Sequence, residues 1–166
     1  PMYSFGGSTF SGSTIAPACT PVYSFGTSAF AGSTLAPACT PVYSFGASAF
    51  ADCRALTELI IPSSVTSIGE QAFFNCFSLI SIVLPSSLTR IERESFLGCY
   101  NLKSVVIPSS VVTIREQAFW GHKVLESVII PSSVTSIGKD AFSSSFSDVL
   151  LNLRFESPKP PYVDDF

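Results

Sequence analysis

The sequence predicts a β-rich solenoid, a chain wound into coils whose short parallel strands stack on one another. Three columns of residues recur in one register. The first is a phenylalanine that returns after 20 residues and then after 23: Phe10, Phe30, Phe50, Phe73, Phe96, Phe119 and Phe142. An apolar residue stands five positions before each of these, and a small or weakly polar residue stands three positions after it. A fixed period of this length indicates seven structural repeats that bury a shared core only by stacking.

Each full repeat opens with a strand pattern, L-x-x-L-x-I/L-P, as at residues 79–85, 102–108 and 125–131. Alternating β-branched residues favour a short strand. The closing proline ends it because proline has no N–H to donate to a sheet, and the Ser-Ser pair that follows suits a turn.

A second extended piece follows the turn, as at residues 65–68. Residues 70–73 are too few for a stable helix and predict one helical or 3₁₀ turn. The repeats therefore predict one parallel sheet face, with short extended segments and 3₁₀ turns on the other side.

Residues 61–76, I-P-S-S-V-T-S-I-G-E-Q-A-F-F-N-C, carry a resemblance to a known family, and residues 130–142 nearly repeat them. The pattern resembles the BspA-type leucine-rich repeat, a 23-residue class of bacterial and protist proteins, across about residues 44–145. The resemblance implies a non-enzymatic protein-binding module for recognition or adhesion, and an extracellular or cell-surface location.

The chain is expected to be one solenoid domain with three parts: short repeats in 1–43, regular repeats in 44–145, and a degenerate last coil with a Pro-rich cap in 146–166. Residues 1–51 contain no charged side chain. This favours a partner that covers the segment, and the alternative function is a structural subunit inside a larger multiprotein assembly. A mobile segment rich in Ser, Gly and Ala is the other interpretation.

The C-terminal residues are predicted to close the solenoid. Residues 149–155 suit a final strand, whereas residues 156–166 hold three prolines and are expected to run extended across the open end without continuing the sheet. Tyr162, Val163 and Phe166 favour docking, and Asp164 and Asp165 favour an exposed tail.

Several function classes are disfavoured. The net charge of −3 does not provide the basic face that nucleic acid requires. No apolar run reaches the roughly 18 residues of a membrane span. The chain begins inside a repeat and lacks a signal-peptide pattern, which indicates a fragment or processed product.

Cys53, Cys76, Cys99 and His122 share one column and could suggest a zinc site. Consecutive coils lie about 4.8 Å apart, so the outer two would be roughly 14 Å apart. A tetrahedral site with bonds of about 2.0–2.3 Å cannot gather all four. Cys99 and His122 could also form a thiol–imidazole dyad, but no orienting third group stands at a matching position. The column is therefore interpreted as structural, and no catalytic residue, metal or cofactor is predicted.

Cys19 and Cys39 occupy outward strand positions in the short repeats. The sequence leaves open whether a disulfide joins them. The odd count of five cysteines argues against a disulfide framework.

The candidate binding face is an outward apolar column on the strands, flanked by a more polar column. The first consists of Ile60, Val83, Val106 and Ile129; the second consists of Glu58, Ser81, Ser104 and Ser127. A docking surface for a protein partner is one interpretation, and the plain preference of β-branched residues for strands is the other. The sparse charges before each marker phenylalanine are interpreted as a solvated turn: Arg90, Glu92, Arg93, Glu94, Arg115, Glu116, Lys139 and Asp140.

Overall fold

The computed structural model describes residues 3–8, 11–12, 22–32, 42–143, 152–157 and 161–164. Within these ranges the chain forms parallel strands and turns, without a helix. The strands are β1 Tyr3–Phe5, β2 Val22–Phe25, β3 Ser44–Phe45, β4 Glu58–Ile60, β5 Ser67–Ile68, β6 Ser81–Val83, β7 Arg90–Ile91, β8 Ser104–Val106, β9 Thr113–Ile114, β10 Ser127–Ile130, β11 Ser136–Ile137, β12 Asn152–Phe155 and β13 Tyr162–Val163. The predicted β-solenoid is confirmed.

The strands form two sides, which we call front and rear. The front strands are β4, β6, β8, β10 and β12, and the rear strands are β1, β2, β3, β5, β7, β9, β11 and β13. On the front side β6 pairs in parallel with β4 and β8, and β10 pairs with β12. On the rear side β3 pairs with β2 and β5, and β9 pairs with β7 and β11. Both extended segments predicted for the full repeats are therefore present in the four coils from β4 to β11.

A stack of phenylalanine rings runs through the interior. The centroids of consecutive rings from Phe30 to Phe142 lie 5.0–5.2 Å apart, with interplanar angles of 4–10°. This spacing is close to the roughly 4.8 Å between neighbouring strands, so each ring follows its own coil. The predicted stacking is confirmed for six of the seven marker residues, and Phe10 lies outside the described residues.

Side chains alternate between the core and the surface along the strands of both sides. On the front side Leu59, Ile82, Val105 and Val128 are buried. On the rear side Ile68, Ile91, Ile114 and Ile137 are buried. One apolar residue per strand on each side thus forms a continuous core with the phenylalanines.

The turn after each rear strand differs in one respect from the predicted helical turn. The N–H of Phe74 donates to the oxygen of Gln71 at 3.0 Å, the i to i+3 pattern of a 3₁₀ turn. Gln71, however, has a φ of 56°, and Glu94, Gln117 and Asp140 at the same repeat position have φ values of 53–55°. A left-handed residue at the start of the turn prevents a helix from propagating, because L-residues do not extend that conformation.

The C-terminal prediction was partly wrong. The predicted final strand is confirmed in part, since β12 continues the front side beside β10. The expectation that residues 156–166 cannot continue a sheet is contradicted: β13 pairs with β11, and Tyr162 and Asp164 donate N–H bonds to Thr135 and Ile137 at 3.0 Å. The prolines precede this strand, so its N–H groups remain able to bond. Val163 packs against the core, whereas Tyr162 is exposed; Asp165 and Phe166 lie outside the described residues.

Candidate binding surface

The predicted apolar column lies on the solvent side of the front strands, where we call it the front stripe. Register places Ile60 beside Val83, and Val83 beside Val106. The exposed fractions are 78% for Ile60, 59% for Val83, 76% for Val106 and 52% for Ile129. Each of these residues follows a buried neighbour in its strand, so the exposure comes from the alternation of the strand.

Polar side chains flank the front stripe as the sequence indicated. Glu58 pairs in register with Ser81, and Ser81 with Ser104. All four members of this column are exposed. Serine side chains are short, so they leave the branched side chains of the stripe standing above the surface.

A charged residue follows the front stripe in the C-terminal coil. Arg154 of β12 pairs in register with Ile129 and is exposed. Beside it a depression of about 310 Å³ is lined by Val106, Ser127, Ile129 and Glu156, among others. The stripe is thus an apolar ridge of four coils that borders a partly charged hollow.

The cysteine column is buried and bonded to the backbone. The thiols of Cys53, Cys76 and Cys99 donate to the carbonyl oxygens of Phe30, Phe50 and Phe73 at 3.0, 3.2 and 3.3 Å. A hydrogen bond with the Cys53 side chain, together with burial, raises the pKa of the Cys76 thiol, and burial raises the pKa of the Cys99 thiol to about 12. Thiols in this state are protonated and weakly reactive at neutral pH, which supports the structural interpretation.

His122 takes the same buried place in the next coil, with 3% of its surface exposed. Its Nδ1 lies 3.3 Å from the oxygen of Phe119, and burial lowers the pKa of its imidazole. The turn that follows is rearranged: the N–H of Lys123 donates to Tyr100 of the preceding coil, whereas the N–H of Tyr100 donates within its own turn to Gly98. The Cys99 thiol donates to the backbone of the coil before it, and Nδ1 of His122 lies beside the backbone of its own turn, so both contacts suit a structural role. Among the residues that the structure describes, no group of three or more His, Cys, Asp or Glu is placed to hold a metal ion.

The charges of the turns are organised more closely than the sequence indicated. Nε of Arg115 lies 3.0 Å from a carboxylate oxygen of Glu92, and Nε of Arg93 lies 3.6 Å from a carboxylate oxygen of Glu116. These ion pairs join neighbouring coils. The expectation of a wholly solvated turn was wrong for Glu94, which is only 8% exposed and is held by Arg93 and Gln71, both at 2.6 Å.

A groove that the sequence did not predict runs along the rear side. Its volume is about 400 Å³, and its lining includes Thr113, Arg115, Ser136, Gly138 and Asp164. The coils lie close together at Gly138, where a Cβ atom would stand 2.5 Å from the backbone nitrogen of Glu116. The available signal was the pair of charged residues, Glu92 and Arg115, at a repeat position that holds glycine in the other repeats.

Two positions of the sequence-based hypotheses stay untested. Cys19 and Cys39, with the short-repeat strands to which they were assigned, lie outside the described residues. In the described ranges, no helix has the length and apolar character needed to cross a membrane.

The fold and the two surfaces define a class of protein, the leucine-rich repeat solenoid with parallel strands on both sides. Residues 23–148 match the model of the BspA type leucine rich repeat region in six copies. The chain belongs to this family.

Solved structures with the same fold are bacterial leucine-rich repeat proteins. One from T. pallidum is 26% identical with a TM-score of 0.71, over 98% of this chain and 67% of that one. One from Bacteroides ovatus is 32% identical with a TM-score of 0.58, over 90% of this chain and 36% of that one. A leucine rich cell surface protein from Faecalibacterium prausnitzii is 26% identical with a TM-score of 0.58, over 83% of this chain and 52% of that one.

This chain thus spans about half the length of the F. prausnitzii protein and about a third of the B. ovatus protein. No curated protein sequence matches it.

Proposed function

We propose that the chain is a non-enzymatic protein-binding module that docks a partner on the front stripe. The observation that carries this proposal is the exposure of four branched apolar side chains, between 52% and 78%, at one strand position of four successive coils. Contiguous exposed apolar surface is typical of interaction sites, and repeat solenoids bind through such extended faces.

The rear strands argue against strand propensity as the whole reason for the stripe. Their outward positions hold Ser67, Arg90, Thr113 and Ser136, and they still form parallel pairs. An apolar outward residue is therefore not required for pairing in this solenoid. The front column gains little stability by being apolar, and a partner that covers it would gain about 1.5–3 kcal/mol per buried side chain before the costs of association.

A cell-surface location accompanies this proposal. The relative from F. prausnitzii is described as a cell surface protein, and leucine-rich repeat solenoids typically bind proteins rather than catalyse reactions. Both points support recognition or adhesion at the surface of a cell.

The test compares a double charged variant of the front stripe with a single charged control on the rear side. The immobilised wild-type chain, the double variant Val83→Glu with Val106→Glu, and the control Val112→Glu are incubated with an extract of cells that carry the protein. Val112 is 43% exposed on the rear side, so the control places the same chemistry away from the stripe.

Quantitative mass spectrometry then reads the proteins retained by each chain. We expect at least one protein that the wild type and the control retain equally and that the double variant retains about tenfold less, since desolvating a carboxylate opposes docking. Equal retention by all three chains, or retention of no protein by any of them, contradicts the proposal.

A further inference from the structure

The rear side carries a column of exposed charges that alternate in sign from coil to coil. Its members are Glu70, Arg93, Glu116 and Lys139. The carbonyl oxygen of each accepts an N–H from the preceding coil at 2.8–3.0 Å, so the four residues stand in line. They also line one groove.

Opposite charges also stand side by side one residue earlier in the two central coils. That column reads Gly69, Glu92, Arg115 and Gly138, with the two charges at the centre and a glycine at each end. If the order of the coils is reversed, each charged residue in either column takes the place of a residue with the opposite charge. Each glycine takes the place of the other glycine.

We propose that the rear side is the interface of an antiparallel homodimer. A two-fold axis that lies in the interface, parallel to the strands and between β7 and β9, reverses the order of the coils and keeps the direction of the strands. Each residue then faces the mirrored coil of the second copy. In a two-fold interface every such contact occurs twice.

The charges are matched throughout this arrangement. Glu70 of one copy faces Lys139 of the second copy, and Arg93 faces Glu116. In the other column Glu92 faces Arg115, while the two glycines face each other and leave room for the central side chains. Complementary potentials of this kind set the register and orientation of an interface more than its affinity.

Exposed aromatic side chains flank the four charged coils of the same side. Tyr162 is 72% exposed and Tyr43 is 38% exposed. Register places Tyr162 beside Ser136 at the C-terminal end, and the two-fold axis sets it opposite Ser44 of the second copy, next to Tyr43. Tyrosines are enriched among the residues that contribute most to interfaces, so the charged contacts are flanked on each side by an apolar contact.

The front side does not match itself in this way. The same operation sets Glu58 opposite Ser127 and Ile80 opposite Lys103, which provides no charge pair. The dimer and the proposed partner therefore use opposite sides of the solenoid, and the dimer does not depend on the proposed function.

Sedimentation equilibrium of the full chain over a range of concentrations tests the dimer. We expect a monomer–dimer equilibrium at low salt that shifts to monomer at about 1 M salt, where the screening length falls to roughly 3 Å. Lys139→Glu sets like charges opposite each other twice and should raise the dimer dissociation constant about tenfold.

The charge swap Glu70→Lys with Lys139→Glu separates contacts between copies from contacts within one chain. It restores both pairs of the dimer, but it leaves like charges on neighbouring coils within each chain, because Glu70→Lys sets a second cation beside Arg93. We expect the double variant to dimerise as well as the wild type. Lys103→Glu, with the same change of charge on the front side, should leave the dissociation constant unchanged, and so should the front-stripe double variant.

Three results overturn the proposal. They are a monomer at every concentration and salt, a swap variant as weak as Lys139→Glu, or a front-side variant that weakens the dimer as much. Circular dichroism melting of each variant confirms that it is folded. A monomer throughout would mean that the alternating charges serve only the stacking of coils.

Discussion

The front and rear sides of this solenoid share one core and have opposite surface chemistry. On both sides the strands point apolar residues inward and bury them, as Val105 and Ile114 show. Outward, the front strands carry Ile and Val exposed at 52–78%, while the rear strands carry hydroxyls and an arginine. The difference shows that the fold requires apolar residues at the inward strand positions but accepts many residue types at the outward positions. The outward residues are therefore available to bind other molecules.

Substitutions of two adjacent valines in β8 test this contrast, and one of them is expected to have the largest effect on stability. Val105 is 7% exposed and Val106 is 76% exposed. Val105→Ala removes buried methyl groups and leaves a cavity, so it should lower the free energy of unfolding by about 2 kcal/mol. Val106→Ala should change it by less than about 0.5 kcal/mol.

Urea unfolding followed by circular dichroism measures both valine variants. A loss at Val106 as large as that at Val105 would show that the front stripe stabilises the fold, and it would remove the main support for docking.

Replacing Ser95 is expected to change the free energy of unfolding by an intermediate amount, and to stabilise the protein rather than destabilise it. Five other repeats have alanine at this position, namely Ala29, Ala49, Ala72, Ala118 and Ala141, and the first repeat has Thr9. The Ser95 hydroxyl is buried and makes no hydrogen bond within the described residues. Ser95→Ala should raise the free energy of unfolding by about 1 kcal/mol, because an unpaired buried hydroxyl is costly.

The matched control for Ser95 is Ala118→Ser one coil later, which should lower stability in the same urea experiment. If Ser95→Ala is destabilising instead, the hydroxyl has a bonding role in the interior and the core is less uniform than the comparison holds.

The smallest effect is expected for the ion pairs of the rear side. Arg115 lies 3.0 Å from Glu92 with 48% of its side chain exposed, and exposed pairs contribute about 0.2–1 kcal/mol. Arg115→Gln should therefore destabilise the monomer by less than about 1 kcal/mol, and the difference should shrink in high salt.

Thermal melting at two salt concentrations, on samples dilute enough to be monomeric, measures the Arg115 effect. A larger, salt-independent loss would indicate that the rear charges are part of the fold rather than of its surface.

Much of the fold was predictable because it is repeated. The phenylalanine stack, both strands of each coil and the outward direction of Ile60, Val83, Val106 and Ile129 follow from column position. The cysteine column was also predictable, since small weakly polar side chains suit bonds to the backbone of a tight turn.

The parts that escaped prediction depend on contacts that periodicity does not describe. Glu94 is buried because Arg93 and Gln71 enclose its carboxylate, and β13 returns to the rear sheet because the N–H groups after the prolines find Thr135 and Ile137. The left-handed turns were not predicted because Gln and Glu, the residue types at positions 71 and 94, are not enriched at positive φ.

By itself the sequence determined which residues share a column, and hence the solenoid, its strands and its interior, because a fixed period places equivalent residues one coil apart. The tertiary structure alone decided how neighbouring columns meet: the rear groove at Gly138, the ion pairs between coils and the hollow beside the front stripe. Those features depend on the length and conformation of the side chains and on the distance between the backbones of neighbouring coils. The period of the repeat determines neither of them.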